Sequence, residues 1–318
     1  MTTPEVWLPF PPAELGPLPE RLAYHHWDGT GEFPADPARC AFYVVPYLMG
    51  QEVALRPLPA MTGVRVVQTL TAGIDHMLPG LDLLPPGAHL CNAGPLHNTS
   101  TAELALALTL AALRDIPGAV RAQDEGRWEQ SFHTSLADRT VLIVGYGGIG
   151  AAIEDRLLPF EPAEVLRVAG RARTVARGPV HATADLPGLL PAADVVILAT
   201  PLTDSTRGMV DAAFLARMRD GALLVNVGRG PVVDTAALFA ETTRGRLRAA
   251  LDVTDPEPLP ADHPLWRAPG VLITPHVGGP STAFRPRAER VLRDQLERFA
   301  AGEPLRYVMV TAPGTAAD

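Results

Sequence analysis

Ten consecutive residues constrain this chain more than any others: Val141-Leu142-Ile143-Val144-Gly145-Tyr146-Gly147-Gly148-Ile149-Gly150. An apolar, β-branched run ends in Gly-x-Gly-x-x-Gly, and a helical pattern follows over 151–158. The order is strand, tight turn, helix. Gly145 permits the turn, Gly147 lets the backbone approach a pyrophosphate, and Gly150 lets helix and strand pack closely. The first N–H groups of the helix, those of Gly148 and Ile149 among them, have no partner within it and suit an anion. The stretch predicts a dinucleotide-binding unit with Gly145, Gly147, Gly148, Ile149 and Gly150 at the cofactor.

Further along, short apolar runs alternate with helical segments. Strands are predicted at 165–169, 195–200, 223–227, 249–253 and 271–274, and helices near 185–190, 211–218 and 235–243. That alternation implies a parallel, doubly wound α/β sheet. Before the Gly-rich turn, the first ~60 residues are Pro-rich and broken, with a strand predicted at 41–45, and a firmer strand is predicted after them at 64–70. Helices are predicted at 99–113 and 117–128, a long one over 281–300 closes the pattern, and 313–318 reads as a frayed tail. In such sheets ligands bind at the carboxyl ends of the strands. The residues just after the strands include Ala72-Gly73, Gly170-Arg171, Thr200, Gly228-Arg229, Asp252 and Pro275-His276.

Composition narrows the classes. The 318 residues, 47% hydrophobic and 19% charged, suffice for two packed domains. A formal net charge of −8 argues against nucleic-acid and anionic-membrane partners. All 27 basic residues are arginine, so lysine Schiff-base chemistry and a P-loop lysine are excluded. Cys40 and Cys91 stand far apart and outside any Cys-x-x-Cys, which predicts neither a disulfide framework nor a metal site and fits a reducing compartment. The stretch 1–19 lacks the basic and apolar regions of a signal peptide. The longest apolar run, 104–113, is about half of a bilayer span. A soluble, cytoplasmic protein with no membrane partner is expected.

The nucleotide is addressed by the end of the second strand, where a ribose-binding acid belongs about 20 residues beyond the glycines. Here Val165-Leu166-Arg167-Val168-Ala169 runs into Gly170-Arg171-Ala172-Arg173. The guanidinium groups of Arg171 and Arg173 suit a 2′-phosphate through charge-assisted bonds. NADP(H) is the preferred cofactor and NAD(H) a possible one; a solvated basic loop is the plainer alternative.

Three segments then line up after strands: Asn226-Val227-Gly228-Arg229-Gly230, Asp252-Val253-Thr254-Asp255-Pro256-Glu257-Pro258, and Thr274-Pro275-His276-Val277-Gly278-Gly279. With the Gly-rich turn, they resemble the D-isomer-specific 2-hydroxyacid dehydrogenase family, on its glyoxylate/hydroxypyruvate reductase-like branch. The resemblance covers about 64–298. It implies two Rossmann-like domains, the cofactor domain (99–283) inserted into a discontinuous substrate domain (1–98 and 284–318), with the active site in the cleft between them. It matches Arg229 to the arginine holding the 2-oxo acid's carboxylate and carbonyl oxygen, His276 to the acid/base, and Glu257 to its carboxylate partner. It matches Ala72 and Gly73 to backbone donors for the substrate carboxylate, Asp252 to a contact on the nicotinamide carboxamide side, and Thr200 to the cofactor wall. A homodimer formed through 99–128 is also implied.

The chemistry is coherent. Hydride reaching a carbonyl carbon leaves charge on the oxygen, which an imidazolium can protonate, and a neighbouring carboxylate orients the ring. Any of the nine histidines alone would be a surface or core residue by default; His276 is set apart by Pro275, Gly278 and Gly279 at a strand end. The expected reaction is hydride transfer between NADP(H) and a small 2-oxo or 2-hydroxy acid. The alternative from another class is a dinucleotide-sensing, corepressor-like binding protein on the same scaffold. Glu257 speaks against the formate-oxidising branch, and the absence of lysine speaks against the phosphite-oxidising one.

Overall fold

A computed structural model describes residues 3–313, so the expected tail lies outside them beyond Pro313. The chain divides into two compact units. One takes in the residues up to His97 and those from Thr282 on; the other is Asn98–Ser281.

The chain begins with β1 (Glu5–Leu8), β2 (Ala23–His26), β3 (Cys40–Val44), the short α1 (Gly50–Leu55), β4 (Val66–Gln68) and β5 (His89–Cys91). It continues into the second unit with α2 (Asn98–Leu113), α3 (Ile116–Asp124), β6 (Thr140–Val144), α4 (Gly148–Leu157) and β7 (Glu164–Ala169). Then come β8 (Arg173–Val175), β9 (Gly178–Ala182), α5 (Leu186–Leu189), β10 (Val195–Leu198), α6 (Ala212–Arg217) and β11 (Leu223–Asn226). That unit ends with α7 (Thr235–Thr243), β12 (Arg248–Leu251) and β13 (Val271–Ile273). The chain returns to the first unit as α8 (Phe284–Ala301) and β14 (Val308–Thr311).

The second unit's sheet runs β13-β12-β11-β10-β6-β7-β9-β8. All its pairings are parallel except β8 on β9. The connection order reverses between β6 and β10, which marks the switch point where a doubly wound sheet binds its ligand. Successive residues of the strands serve opposite faces. Leu142, Val144, Val196 and Leu198 join a core with Phe214, Leu215 and Leu238 of α6 and α7. Val141, Ile143, Val195 and Ile197 join another with Ala102 and Ala105 of α2 and Ile153 and Leu157 of α4. Burial on both faces is why these strands read as unbroken apolar runs.

The first unit's sheet runs β14-β5-β4-β3-β1-β2, parallel except for β14 on β5. Ala288, Leu292 and Leu296, at helical spacing, press α8 against Val6, Phe42 and Val66. This apolar stripe fixes the return of the chain to its first unit. The opposite face packs Trp7, Tyr43 and Val67 with Trp27, Met61 and Met77.

Several boundaries differ from those read in the sequence. The strand expected at 64–70 is only Val66–Gln68. The helix expected to reach 128 stops at Asp124, where Gly126 turns to φ 64° and the Arg127 N–H bonds back to the Ala122 carbonyl. β1 and β2 form within the Pro-rich start, and β8–β9 is a hairpin where continuous parallel winding was expected.

Candidate active site

In the second unit, the loops after β6, β10, β11, β12 and β13 meet at the carboxyl edge of the sheet. At the Gly-rich turn, Gly145 has φ 102°, and a β-carbon there would fall 2.5 Å from the Ala199 carbonyl carbon. The residue can only be glycine. The N–H groups of Gly145 and Tyr146 both donate to the Val168 carbonyl at 2.9 Å, anchoring the turn to β7. Gly147 precedes α4 with open space around it, so a ligand can approach its backbone directly. Gly148, Ile149 and Gly150 form the first turn of α4, whose leading N–H groups have no intrahelical acceptor.

Across the switch point, Thr200 is buried, and its Oγ1 finds no hydrogen-bond partner among the described residues. The Ala199–Thr200 backbone abuts Gly145, and an orphaned hydroxyl there suits a polar ligand. At the end of β7, no carboxylate follows; Arg171 is exposed, and Arg173, the first residue of β8, donates to the Tyr146 carbonyl. The arginine segment therefore lies against the Gly-rich turn. This set fits a nicotinamide dinucleotide. The open N–H groups at the start of α4 could take a pyrophosphate, the arginines after β7 could meet a ribose phosphate, and the Thr200 hydroxyl could take a further polar group.

Arg229 follows β11 in an extended conformation, with a guanidinium N–H donating to the Gly228 carbonyl at 2.8 Å. Its loop is held by Asn226. The buried Asn226 amide accepts from the Gly228 N–H at 3.0 Å and donates to the Arg229 carbonyl at 3.0 Å. The sequence places Asn226 in the segment without giving it a role, although an Asn two residues before a Gly is a recognisable Asx-turn signal. A β-carbon on Gly228 would fall 2.7 Å from the Thr200 carbonyl oxygen, and one on Gly230 would fall 1.8 Å from that of Thr254.

His276 follows β13 with φ 53°, its N–H bonded to the Asp252 carbonyl at 2.8 Å. Its Nδ1 lies 2.5 Å from Glu257 Oε1, and both side chains are nearly half exposed. Glu257 comes from the loop after β12, so the pair bridges adjacent strand ends. Asp252 is buried and committed to the same loop. Its Oδ1 accepts from Thr274 Oγ1 at 2.6 Å and from the Val277 N–H at 2.8 Å, and its Oδ2 accepts from the Gly278 N–H at 2.9 Å.

In the first unit, Ala72 and Gly73 follow β4. Asn92 donates to the Ala72 carbonyl at 2.8 Å and Thr71 Oγ1 to the Gly73 carbonyl at 2.7 Å. These contacts tie down the carbonyls of the loop. Among the described residues, no group of three or more His, Cys, Asp or Glu side chains is placed to hold a metal ion. No described helix is long and apolar enough to cross a membrane.

A Gly-rich turn at the switch point, with an imidazole–carboxylate pair at the same carboxyl edge of the sheet, is the arrangement of a nicotinamide-dinucleotide oxidoreductase. A family model for the D-isomer specific 2-hydroxyacid dehydrogenase NAD binding domain matches residues 106–278. Glyoxylate reductase/hydroxypyruvate reductase of Homo sapiens is 32% identical over 267 residues, covering 81% of each chain. Glyoxylate/hydroxypyruvate reductase B of Citrobacter koseri is 36% identical over 229 residues, 70% of each. A D-isomer specific 2-hydroxyacid dehydrogenase of Xanthobacter autotrophicus Py2, solved in complex with NADPH and MES, superposes with a TM-score of 0.81 at 29% identity over 98% of both chains. The chain belongs to the D-isomer specific 2-hydroxyacid dehydrogenase family. It is an enzyme of that class, using a nicotinamide dinucleotide on small 2-hydroxy acids.

Proposed function

We propose that this enzyme reduces small 2-oxo acids, glyoxylate and hydroxypyruvate among them, with NADPH preferred over NADH. The product is the D-hydroxy acid where a stereocentre results. The observation that carries the catalytic reading is the 2.5 Å contact of His276 Nδ1 with Glu257 Oε1, on a loop that abuts the one bearing Arg229 through Gly230 and Thr254. The names of the human and Citrobacter relatives support the substrate class. The arginines after β7, with no carboxylate there, support the 2′-phosphate.

Bound NADPH supplies a hydride for the substrate's carbonyl carbon. Arg229 holds the substrate's carboxylate and carbonyl oxygen. His276, with Nδ1 engaged by Glu257, has Nε2 left to give its proton to the oxygen as charge gathers there. Glu257 fixes the ring and balances the imidazolium. In the reverse direction neutral His276 accepts the hydroxyl proton. Asp252 and Thr200 stand on the nicotinamide side.

We further propose a homodimer formed through 99–128, where Ile116, Val120 and Trp128 are exposed, with Trp128 at 95%. We place it in the cytoplasm, where its free buried thiols, Cys40 and Cys91, stay reduced. The test is loss of NADPH or NADH absorbance with purified protein on adding glyoxylate, hydroxypyruvate and longer 2-oxo acids. Faster turnover with NADPH supports the reading. Nucleotide binding without turnover of any acid overturns it in favour of the sensor.

A further inference from the structure

Glu154 lies on α4, one turn beyond Gly150, and its side chain is wholly buried. A carboxylate taken out of water costs several kcal/mol unless it is fully paired. Here the pairing is dense. The Tyr146 hydroxyl donates to Oε2, Arg167 Nε donates to Oε2 at 2.9 Å, and a second Arg167 nitrogen donates to Oε1. Arg177 brings a guanidinium nitrogen to 3.9 Å of Oε2 while pairing with Asp155. Burial works to raise the Glu154 pKa, but the bonds from Arg167 and Tyr146 outweigh it and hold the carboxyl below its usual range.

Each partner belongs to a different local element. Tyr146 is the second residue of the Gly-rich turn. Arg167 sits on β7, three residues before Gly170-Arg171. Arg177 lies in the turn of the β8–β9 hairpin, whose first residue, Arg173, donates to the Tyr146 carbonyl. One carboxylate thus ties the phosphate turn, the strand and the hairpin together. An apolar side chain at 154 would fill the same buried face of α4 without the desolvation cost. What it could not do is hold Arg167 and Arg177 together against mutual repulsion.

We propose that Glu154 is a positioning residue for cofactor choice, locking the arginine-bearing segment after β7 onto the Gly-rich turn so that Arg171 and Arg173 stand ready for a 2′-phosphate. The inference rests on the NADP(H) preference proposed above. The experiment is calorimetric titration of wild type, Glu154→Gln and Arg177→Ala with adenosine 2′,5′-bisphosphate and with 5′-AMP, each variant's fold being checked by circular dichroism. Arg177 is partly exposed and outside the apolar core, so its variant keeps the test alive if Glu154→Gln does not fold.

Wild type is expected to bind the bisphosphate more tightly than 5′-AMP. Glu154→Gln should lose about tenfold of that ratio, the scale of one charge-assisted hydrogen bond. Arg177→Ala should lose about threefold, the scale of an exposed ion pair. In both, 5′-AMP affinity is expected to hold. Equal weakening of both probes shows a merely structural role and overturns the proposal, as does an unchanged ratio in the folded variants. A wild type that binds both probes equally removes the NADP(H) preference itself, a result distinct from either.

Discussion

Asp252→Asn separates two roles for one residue. All three hydrogen bonds recorded for the Asp252 carboxylate go to the loop that carries His276, at 2.6, 2.8 and 2.9 Å. An amide has only one oxygen. Kept at the Oδ1 position, it still accepts from Thr274 and Val277, but both bonds become neutral and lose about 1 kcal/mol each. Its NH2 then meets the Gly278 N–H donor to donor, and stranding that amide costs about 1–3 kcal/mol. The total is about 3–5 kcal/mol. If the loop yields locally, His276 leaves its place beside Glu257, and kcat should fall by about 100-fold or more. If the loss is global, the melting midpoint should fall by about 6–12 °C for the lower figure in a unit of this size. Steady-state kinetics with NADPH and glyoxylate, beside a thermal melt, reads both. A variant with kcat within about threefold of wild type, an unshifted midpoint and only a raised KM for NADPH would refute the loop-holding argument and favour a direct nicotinamide contact.

Three further outcomes are expected. His276→Ala should lower kcat by about two to four decades, and activity surviving within a few fold in a kinetic assay would show that another group donates the proton. Arg171→Asp combined with Arg173→Ala should shift the kcat/KM ratio toward NADH; an unchanged ratio removes the 2′-phosphate argument. Gly230→Ala places a β-carbon 1.8 Å from the Thr254 carbonyl oxygen, which is backbone and cannot swing aside. One of the two loops must move, so kcat/KM should fall by at least about tenfold or the protein should fail to fold. Wild-type kinetics from a soluble variant would contradict this.

The α/β class and the two mainly parallel sheets were legible because burial on both faces leaves a strong signal: 141–144, 195–198 and 223–226 are almost wholly apolar. The elements that escaped notice lack it. β2 is Ala-Tyr-His-His, an edge strand with no buried side chain, and β8 is Arg-Thr-Val on the edge of the other sheet. β1 is Glu-Val-Trp-Leu, with three apolar residues in a strand only four long amid prolines. At the candidate site, residues that follow strands could be found by position, which is how Arg229, Asp252 and His276 were reached. What a side chain binds could not be found this way. The commitment of Asp252 to the His276 loop depends on β12 and β13 being neighbours, and the burial of Glu154 depends on Arg167 lying across from it.

The glycines explain why so much of the site could be read from one chain. In sheet order, each loop leans on its neighbour's backbone. The turn after β6 meets Ala199 and Thr200 after β10, Gly228 after β11 meets Thr200, Gly230 meets Thr254 after β12, and Asp252 holds the loop after β13. At the first three contacts a β-carbon would fall between 1.8 and 2.7 Å from a backbone atom, closer than any side chain tolerates. Glycine is thus required where loops from adjacent strands interlock, and interlocking is what sets the loops bearing Arg229, Glu257 and His276 side by side. A change at any one contact should therefore be felt along the row. Gly230→Ala is expected to disturb Glu257 and Arg229 together, whereas His276→Ala, which removes only the ring and leaves the backbone bond to Asp252 in place, should leave nucleotide affinity intact. Fluorescence titration of NADPH against both variants decides it: weakened binding in His276→Ala with none in Gly230→Ala would mean that the loops act independently.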